Sequence, residues 1–312
     1  MTLYQVPILT NGATHSAEQF RAMVQDLARG SEGITAGTDL KVTQLGTPGG
    51  GVQIAEGSAV IRGRVSAFQG TYTSRNQGAA TVSIASQGAG SGRSDMVILR
   101  VEDPQYEGTL DPVTQPINYF QVLSNVSSSA TTIPGGLTGI PLARIDIPAS
   151  TSTITNAMVV DLRQIANPRR QSLQYVHSPT GTSTAINNSN GTYAYFSTEA
   201  GWSVPIPSWA SQAIVSIDLA QIRYTTAAFI GSLRATFGAS LTLQAVILDD
   251  NQTAIRRATT FVADTLTIPD AYRGTSQLLR PQATGTTGNT GVVSVDASTT
   301  LRYNVEFIEA PR

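Results

Sequence analysis

Residues 93–101 read Arg-Ser-Asp-Met-Val-Ile-Leu-Arg-Val, residues 140–148 read Ile-Pro-Leu-Ala-Arg-Ile-Asp-Ile-Pro, and residues 159–163 read Val-Val-Asp-Leu-Arg. Each is a short apolar run with a charged end. The alternation of Met96, Ile98 and Val101, and of Leu142, Ile145 and Ile147, predicts half-buried strands bounded by Pro and Gly. Gly-rich loops at Gly46 to Gly51, Gln87 to Arg93 and Ile133 to Gly139 have the composition that joins antiparallel strands. These features predict a mainly β chain built as antiparallel β-sandwich domains.

The same three segments carry a resemblance. They are similar to the N-terminal domain of minor tail or tail-fibre proteins from phages of Gram-positive, especially actinobacterial, hosts. There a strand of the form R-x-D-x-V-x-x-R-V precedes Ile/Leu-Pro-Leu-Ala-Arg-Val/Ile and then Asp-Leu-Arg. The similarity runs from about Gly50 to Arg163, roughly a third of the chain. It implies a non-enzymatic structural role in the virion, at the tail tip or baseplate, after assembly in the host cytoplasm. From Ser172 onward the sequence resembles no family.

At 312 residues the chain has room for two domains, each with its own core. It has no cysteine, which excludes disulfides, thiolate zinc sites and Cys nucleophiles. Charged residues are 13% of the total and the formal net charge is -1, so no long-range field draws in nucleic acid or an anionic membrane. Lys41 is the single lysine. No apolar run is long enough to cross a bilayer, and Met1 to Leu9 lacks the basic start and apolar centre of a signal peptide.

Residues 1–33 read as an extended arm followed by a short amphipathic helix, together an attachment device. The helix is predicted from Ala17 to Arg29, with Ser16 as N-cap, Gln19 completing a capping box and Gly30 as the stop. Its apolar stripe of Phe20, Met23, Val24 and Leu27 is the candidate docking face. Residues 34–166 form the first predicted sandwich, 167–171 a linker, and 172–312 a second sandwich, jelly-roll-like, for assembly or receptor binding. Within the second, Asp249-Asp-Asn-Gln252 is predicted to close a hairpin between strands 241–248 and 255–261.

Catalytic constellations are missing from the sequence. The two histidines, His15 and His177, stand in no hydrolase frame, and Gly181-Thr-Ser-Thr-Ala185 lacks the strand-to-helix context of a nucleophile elbow. Lys41 precedes the Gly46 to Gly51 run, which excludes a phosphate-cradling loop, and no His pair has zinc spacing. Glu102, Asp103, Glu107, Asp111, Asp249 and Asp250 are the formal route to a glycosidase, with turn formers and solvated strand ends as the preferred reading. No catalytic residue, cofactor or metal is therefore assigned.

Binding candidates are better defined. Tyr193, Tyr195, Trp202 and Trp209 are the candidate glycan or subunit-interface aromatics, and Arg169 and Arg170 the candidate basic residues for an inter-chain or inter-domain contact. Long Thr, Ala, Ser and Val stretches with one lysine leave strand edges unguarded, which predicts a homo-oligomer. The resemblance implies that it is a trimer, partnered by other tail-tip or baseplate proteins and by host cell-wall glycan. Capsid decoration or head-fibre protein is the alternative, and after it a carbohydrate-binding module or glycosidase of a tail spike.

Overall fold

The computed structural model describes residues 7–181 and 185–312. Residues 3–6 of the predicted arm, and Thr182 to Thr184 of the elbow-like stretch, lie outside the described residues. The chain is mainly β, with one α-helix near the N-terminus, α1 (Ala17–Leu27). It divides into two compact units. Unit 1 runs to Pro168 and takes in Pro311–Arg312, and unit 2 is Arg169–Ala310.

Unit 1 contains α1 and β1 (Gly33–Ile34), β2 (Val42–Gln44), β3 (Gly51–Ile54), β4 (Gly57–Arg62), β5 (Thr71–Asn76), β6 (Ala80–Ser83), β7 (Arg93–Val101), β8 (Asn118–Val126), β9 (Gly139–Ile147) and β10 (Val159–Asp161). These make three sheets, β1-β4-β5, β2-β3-β6 and β10-β9-β7-β8. Ile34, Leu40, Ile54, Ile61, Val97, Leu99, Leu142 and Ile145 belong to one shared core. The strand that decided the sequence reading departs from it. In β7, Val97, Leu99 and Val101 face that core, and Met96 and Ile98 are fully buried as well. Six consecutive residues, Ser94 to Leu99, are buried, so the strand is covered on both faces and not half-exposed.

Helix α1 begins as its sequence requires. The Ser16 hydroxyl accepts from the Gln19 amide at 3.2 Å and the Gln19 side chain accepts from the Ser16 amide at 3.0 Å. The helix ends two residues before Arg29, which takes a left-handed φ of 54° ahead of Gly30 at 70°. Within the chain its apolar stripe is covered only in part, with Met23 and Val24 half-buried. Phe20 is 43% exposed and Leu27 74%. The anchor is Arg21, whose guanidinium donates to the Gln69 carbonyl at 2.7 Å, lies 3.4 Å from Asp103, and sits over the rings of Tyr72 and Tyr106. The surface that the helix meets is aromatic and acidic, so a cation helps to seat it beside Met23 and Val24.

Unit 2 contains β11 (Arg170–His177), β12 (Ala194–Tyr195), β13 (Trp202–Pro205), β14 (Gln212–Thr225), β15 (Phe229–Phe237), β16 (Leu241–Thr242), β17 (Val246–Asp250), β18 (Arg256–Thr267), β19 (Ser276–Gly285), β20 (Val292–Ser294) and β21 (Thr300–Ile308). Two sheets stack as a sandwich. One has the order β11-β21-β14-β18 with β20 also on β14, and the other β12-β19-β15-β16 with β13 on β19 and β17 on β15. Arg170 and Gln171 already belong to β11, where a linker was expected through residue 171.

The long strand β14 shows how the pattern is kept. Ala213, Val215, Ile217 and Leu219 face inward, and beyond a bulge, where Gln221 has a φ of 61°, the inward residues become Ile222 and Tyr224. One extra residue switches the inward set from odd to even positions, so the strand bends and still feeds the core. Phe196, Phe229, Phe237, Tyr303 and Phe307 fill that core with almost no exposure. Each such burial contributes on the order of 2 kcal/mol.

The predicted Asp249–Gln252 hairpin is not one. Strand β17 pairs with β15, Phe229 opposite Asp250, whereas β18 pairs with β14. The segment between them therefore passes from one sheet to the other, tied by the Arg256–Asp250 ion pair at 2.6 Å.

Candidate functional site

The charged residues of the three opening segments are consumed inside unit 1. Strand geometry puts residues two apart on one side, and Arg93 with Asp95 and Arg144 with Asp146 pair in this way at 3.0 and 2.8 Å, while Arg163, just past the end of β10, turns back to Asp161 at 2.7 Å. Each arginine also holds loop carbonyls. Arg93 donates to Ser86, Arg144 to Ala130, and the wholly buried Arg163 to Asp39 and Arg312. The Arg144 guanidinium, followed by the Ser94 hydroxyl, holds the Asp146 carboxyl below its ordinary value.

Of the six carboxylates considered for hydrolysis, Glu102, Asp103, Glu107, Asp111 and Asp250 are likewise engaged, and Asp249 is exposed on β17. Glu102 accepts from the Tyr119 hydroxyl at 2.6 Å and lies 3.5 Å from Arg100, and Asp103 accepts from Tyr72 at 2.7 Å. Burial, then this bond to Asp103, pushes the Tyr72 phenol well above its usual range. Asp111 caps its own turn through Val113 and Thr114, which lowers its carboxyl. Among the described residues no group of three or more His, Asp or Glu side chains could hold a metal. A cleft of about 400 Å³ in unit 1 is bordered by Ile133, Leu137, Ile140 and Leu162 and by the Glu32–Arg64 ion pair.

The four aromatics of unit 2 separate into three places. Trp202 lies on β13 opposite Leu279, on the core side of its sheet, stacked on Tyr175 at 5.6 Å and tilted on Tyr303 at 6.1 Å. Trp209 packs against the core beneath Arg169, whose guanidinium is 5.3 Å from the ring centre. Arg169 and Arg170 bind carboxylates of their own unit, Glu309 at 2.6 Å and Glu306 at 3.1 Å, with more than half of each arginine side chain exposed.

Tyr193 and Tyr195 lie on the outer face, and they bring unpredicted residues with them. The Tyr193 hydroxyl meets Ser232 at 2.7 Å and the Tyr195 hydroxyl meets Thr236 at 3.1 Å, so both rings reach from the β12 edge to β15. Arg234, between Ser232 and Thr236, sits over Tyr193 at 3.7 Å, and Arg280 of β19 sits over Tyr195 at 4.6 Å. Gln282, 4% exposed, accepts from Arg234 at 3.3 Å, and Arg280 donates to the Phe196 carbonyl. Neither guanidinium has a carboxylate partner among the described residues, and both Nε atoms are buried without an acceptor there. Ile230, Ile247 and Leu278 border the face, exposed by 42%, 82% and 48%. The arginines were readable as polar positions alternating with buried Leu233, Ala235 and Leu279. Their aromatic partners, some forty to eighty residues away in sequence, were not.

No family model matches the chain, and no curated protein sequence matches it. Solved structures give low-scoring likenesses. The structure of infectious bursal disease virus Gx strain has 13% identity and a TM-score of 0.28, covering 89% of this chain and 70% of that one. The infectious bursal disease virus VP2 subviral particle has 12% identity and a TM-score of 0.26, covering 90% and 74%. A Bacillus thuringiensis Cry1Da tryptic core variant has 10% identity and a TM-score of 0.23, covering 98% and 57%. Likeness at this level says nothing of what the chain does.

Proposed function

We propose that the chain is a non-enzymatic structural protein of a virus particle, a minor tail protein of a phage tail tip or baseplate that contributes to attachment at the host surface. The observation that carries this reading is the use of the motif residues. Arg93, Asp95, Arg144, Asp146, Asp161 and Arg163, which make the sequence similar to tail proteins, are staples between strands and loops, with no arginine among them left to bind a substrate. A motif that fixes a scaffold suits a part whose work is mechanical. Copies of the chain associate as a homo-oligomer, a trimer by the same resemblance, with the exposed Phe20 and Leu27 of α1 offered to a neighbour.

Two measurements test this. Light scattering after gel filtration is expected to give three times the 32.8 kDa of one chain, and a monomer at high concentration overturns the assembly. Gold-labelled antibody on intact particles is expected at the tail tip. Label on the capsid shell removes the tail assignment, and particles without label remove the virion role.

A further inference from the structure

We propose that the outer face of the β12-β19-β15 sheet binds an anionic saccharide, with sugar rings resting on Tyr193 and Tyr195 and the acidic groups taken by Arg234 and Arg280. The proposal deepens the attachment half of the reading above and rests on it only for where the polymer is met.

Three features point to this ligand. The first is charge. Arg163, Arg169, Arg257 and Arg302 each face a carboxylate, whereas Arg234 and Arg280 face tyrosine rings and, among the described residues, no acidic side chain. A ring face attracts a cation but leaves its net charge in place, and the exposed Asp249, opposite Ile230 on this face and four residues along β15 from Arg234, pairs with neither arginine, so both positive charges stay unpaired. The second is register. Arg234 lies opposite Gln282 and Arg280 opposite Thr236, so the two guanidiniums start from diagonal neighbours on one face, about 7–8 Å apart. Tyr193 and Tyr195 are two residues apart on one edge, about 7 Å along the chain. Charge and ring thus repeat together, as an acidic sugar polymer presents its own carboxylate or phosphate beside each ring.

The third is restraint. Each tyrosine is tethered through its hydroxyl to β15, and one guanidinium nitrogen of each arginine is held by Gln282 or by the Phe196 carbonyl. The groups are ordered before any ligand arrives, so binding loses little side-chain entropy. The face is a shallow, sheet-borne surface and not a pocket. It suits an extended polymer held by repeated weak contacts better than a small metabolite that must be enclosed. Tyr195, 41% exposed, is the ring most open to stacking.

Affinity electrophoresis of the full chain in gels containing oligogalacturonate, phosphomannan or fully methyl-esterified galacturonan decides the matter. The first two distinguish a carboxylate from a phosphate source, and the third keeps the rings and removes the charge. Retardation is expected with at least one acidic polymer, not with the ester, and should weaken as salt is raised. The double variant Arg234→Gln/Arg280→Gln should lose at least about tenfold in affinity, and Tyr195→Ser a similar factor. Gln282→Glu places a carboxylate beside both arginines with the rings intact. It should abolish retardation even if the double variant fails to fold. Equal retardation by the ester, no retardation by either acidic polymer, or full binding by a folded Gln282→Glu overturns the proposal. None of these results alters where the chain is found on particles, which antibody labelling reads separately.

Discussion

Asp95 has no exposed side-chain surface, and its oxygens take the Arg93 Nε at 3.0 and 3.1 Å and the Asn125 amide at 2.9 Å. Asn125 holds a left-handed φ of 58° beside the register shift between β7 and β8, so one carboxylate serves both an ion pair and an irregular backbone. Asp95→Ala leaves Arg93 without its countercharge and Asn125 with an orphaned donor. A loss of about 3 kcal/mol is expected in the urea unfolding of unit 1, with unit 2 unchanged. Acid should act on both units through other carboxyls. Arg144 lowers Asp146 and Arg257 lowers Asp296 below the ordinary 3.8. A carboxyl that is more acidic when folded adds stability above 3.8 and loses it as pH falls through the lowered value. Calorimetry is therefore expected to show this contribution constant from about pH 8 to 5 and a falling Tm below about pH 4. Replacing both Asp146 and Asp296 by Asn should flatten that acid limb.

At the level of elements, α1 offers the sharpest test, because one glycine decides whether it can approach the sheet. Gly70 has a φ of 74°, and a Cβ there would come within 2.7 Å of the Arg21 Cβ and 2.8 Å of its backbone carbon. Gly70→Ala should push the helix away and break the Arg21 bonds to Gln69 and Asp103. Arg21→Ala removes the same anchor from the helix side, at roughly 1–3 kcal/mol. Hydrogen exchange over residues 17–27 is expected to rise towards that of an unprotected peptide in both variants, while β7 stays protected. Protection unchanged in Arg21→Ala would show that Met23 and Val24 suffice. The helix itself was legible, down to its capping box, because caps and periodicity are local. Its mode of docking was not, since Tyr72, Asp103 and Tyr106 lie at least fifty residues away. The same limit explains β17 and β18. Asp-Asp-Asn-Gln has good turn chemistry, but which sheet each flanking strand joins is settled by partners such as Phe229 and Leu219. The outer face followed this rule too: Tyr193 and Tyr195 could be named from sequence, and Arg234 and Arg280 became their partners only through register.

For the molecule as a whole, the two cores share no residue, one drawing on Ile34 to Ile165 and the other on Ile186 to Phe307. Unit 2 is closed on itself at its chain ends. Its first strand, β11, pairs along its whole length with its last, β21, from Arg170 opposite Ile308 to His177 opposite Leu301, and Arg169 clasps Glu309 through two nitrogens at 2.8 and 2.6 Å. The pairings and bonds of this closure named here join residues between Arg169 and Ala310. Unit 1 is different, because it is completed by Arg312, whose amide donates to the Gly37 carbonyl at 2.9 Å and whose carbonyl accepts from buried Arg163 at 3.1 Å. A fragment of residues 169–310 is therefore expected to fold alone, with one cooperative urea transition at the midpoint that unit 2 shows in the full chain. A fragment ending at Pro168 should fold but be weaker than unit 1 in the full chain by about 1–2 kcal/mol, the value of the Arg312 bonds. Mixing in a peptide ending Glu-Ala-Pro-Arg should not restore it, because the tether that holds Arg312 near Arg163 is unit 2 itself. Equal stability of the two forms of unit 1 would mean that Arg163 finds its acceptors in Asp39 and Gly37 alone, and a molten 169–310 fragment would mean that the β11–β21 closure does not suffice.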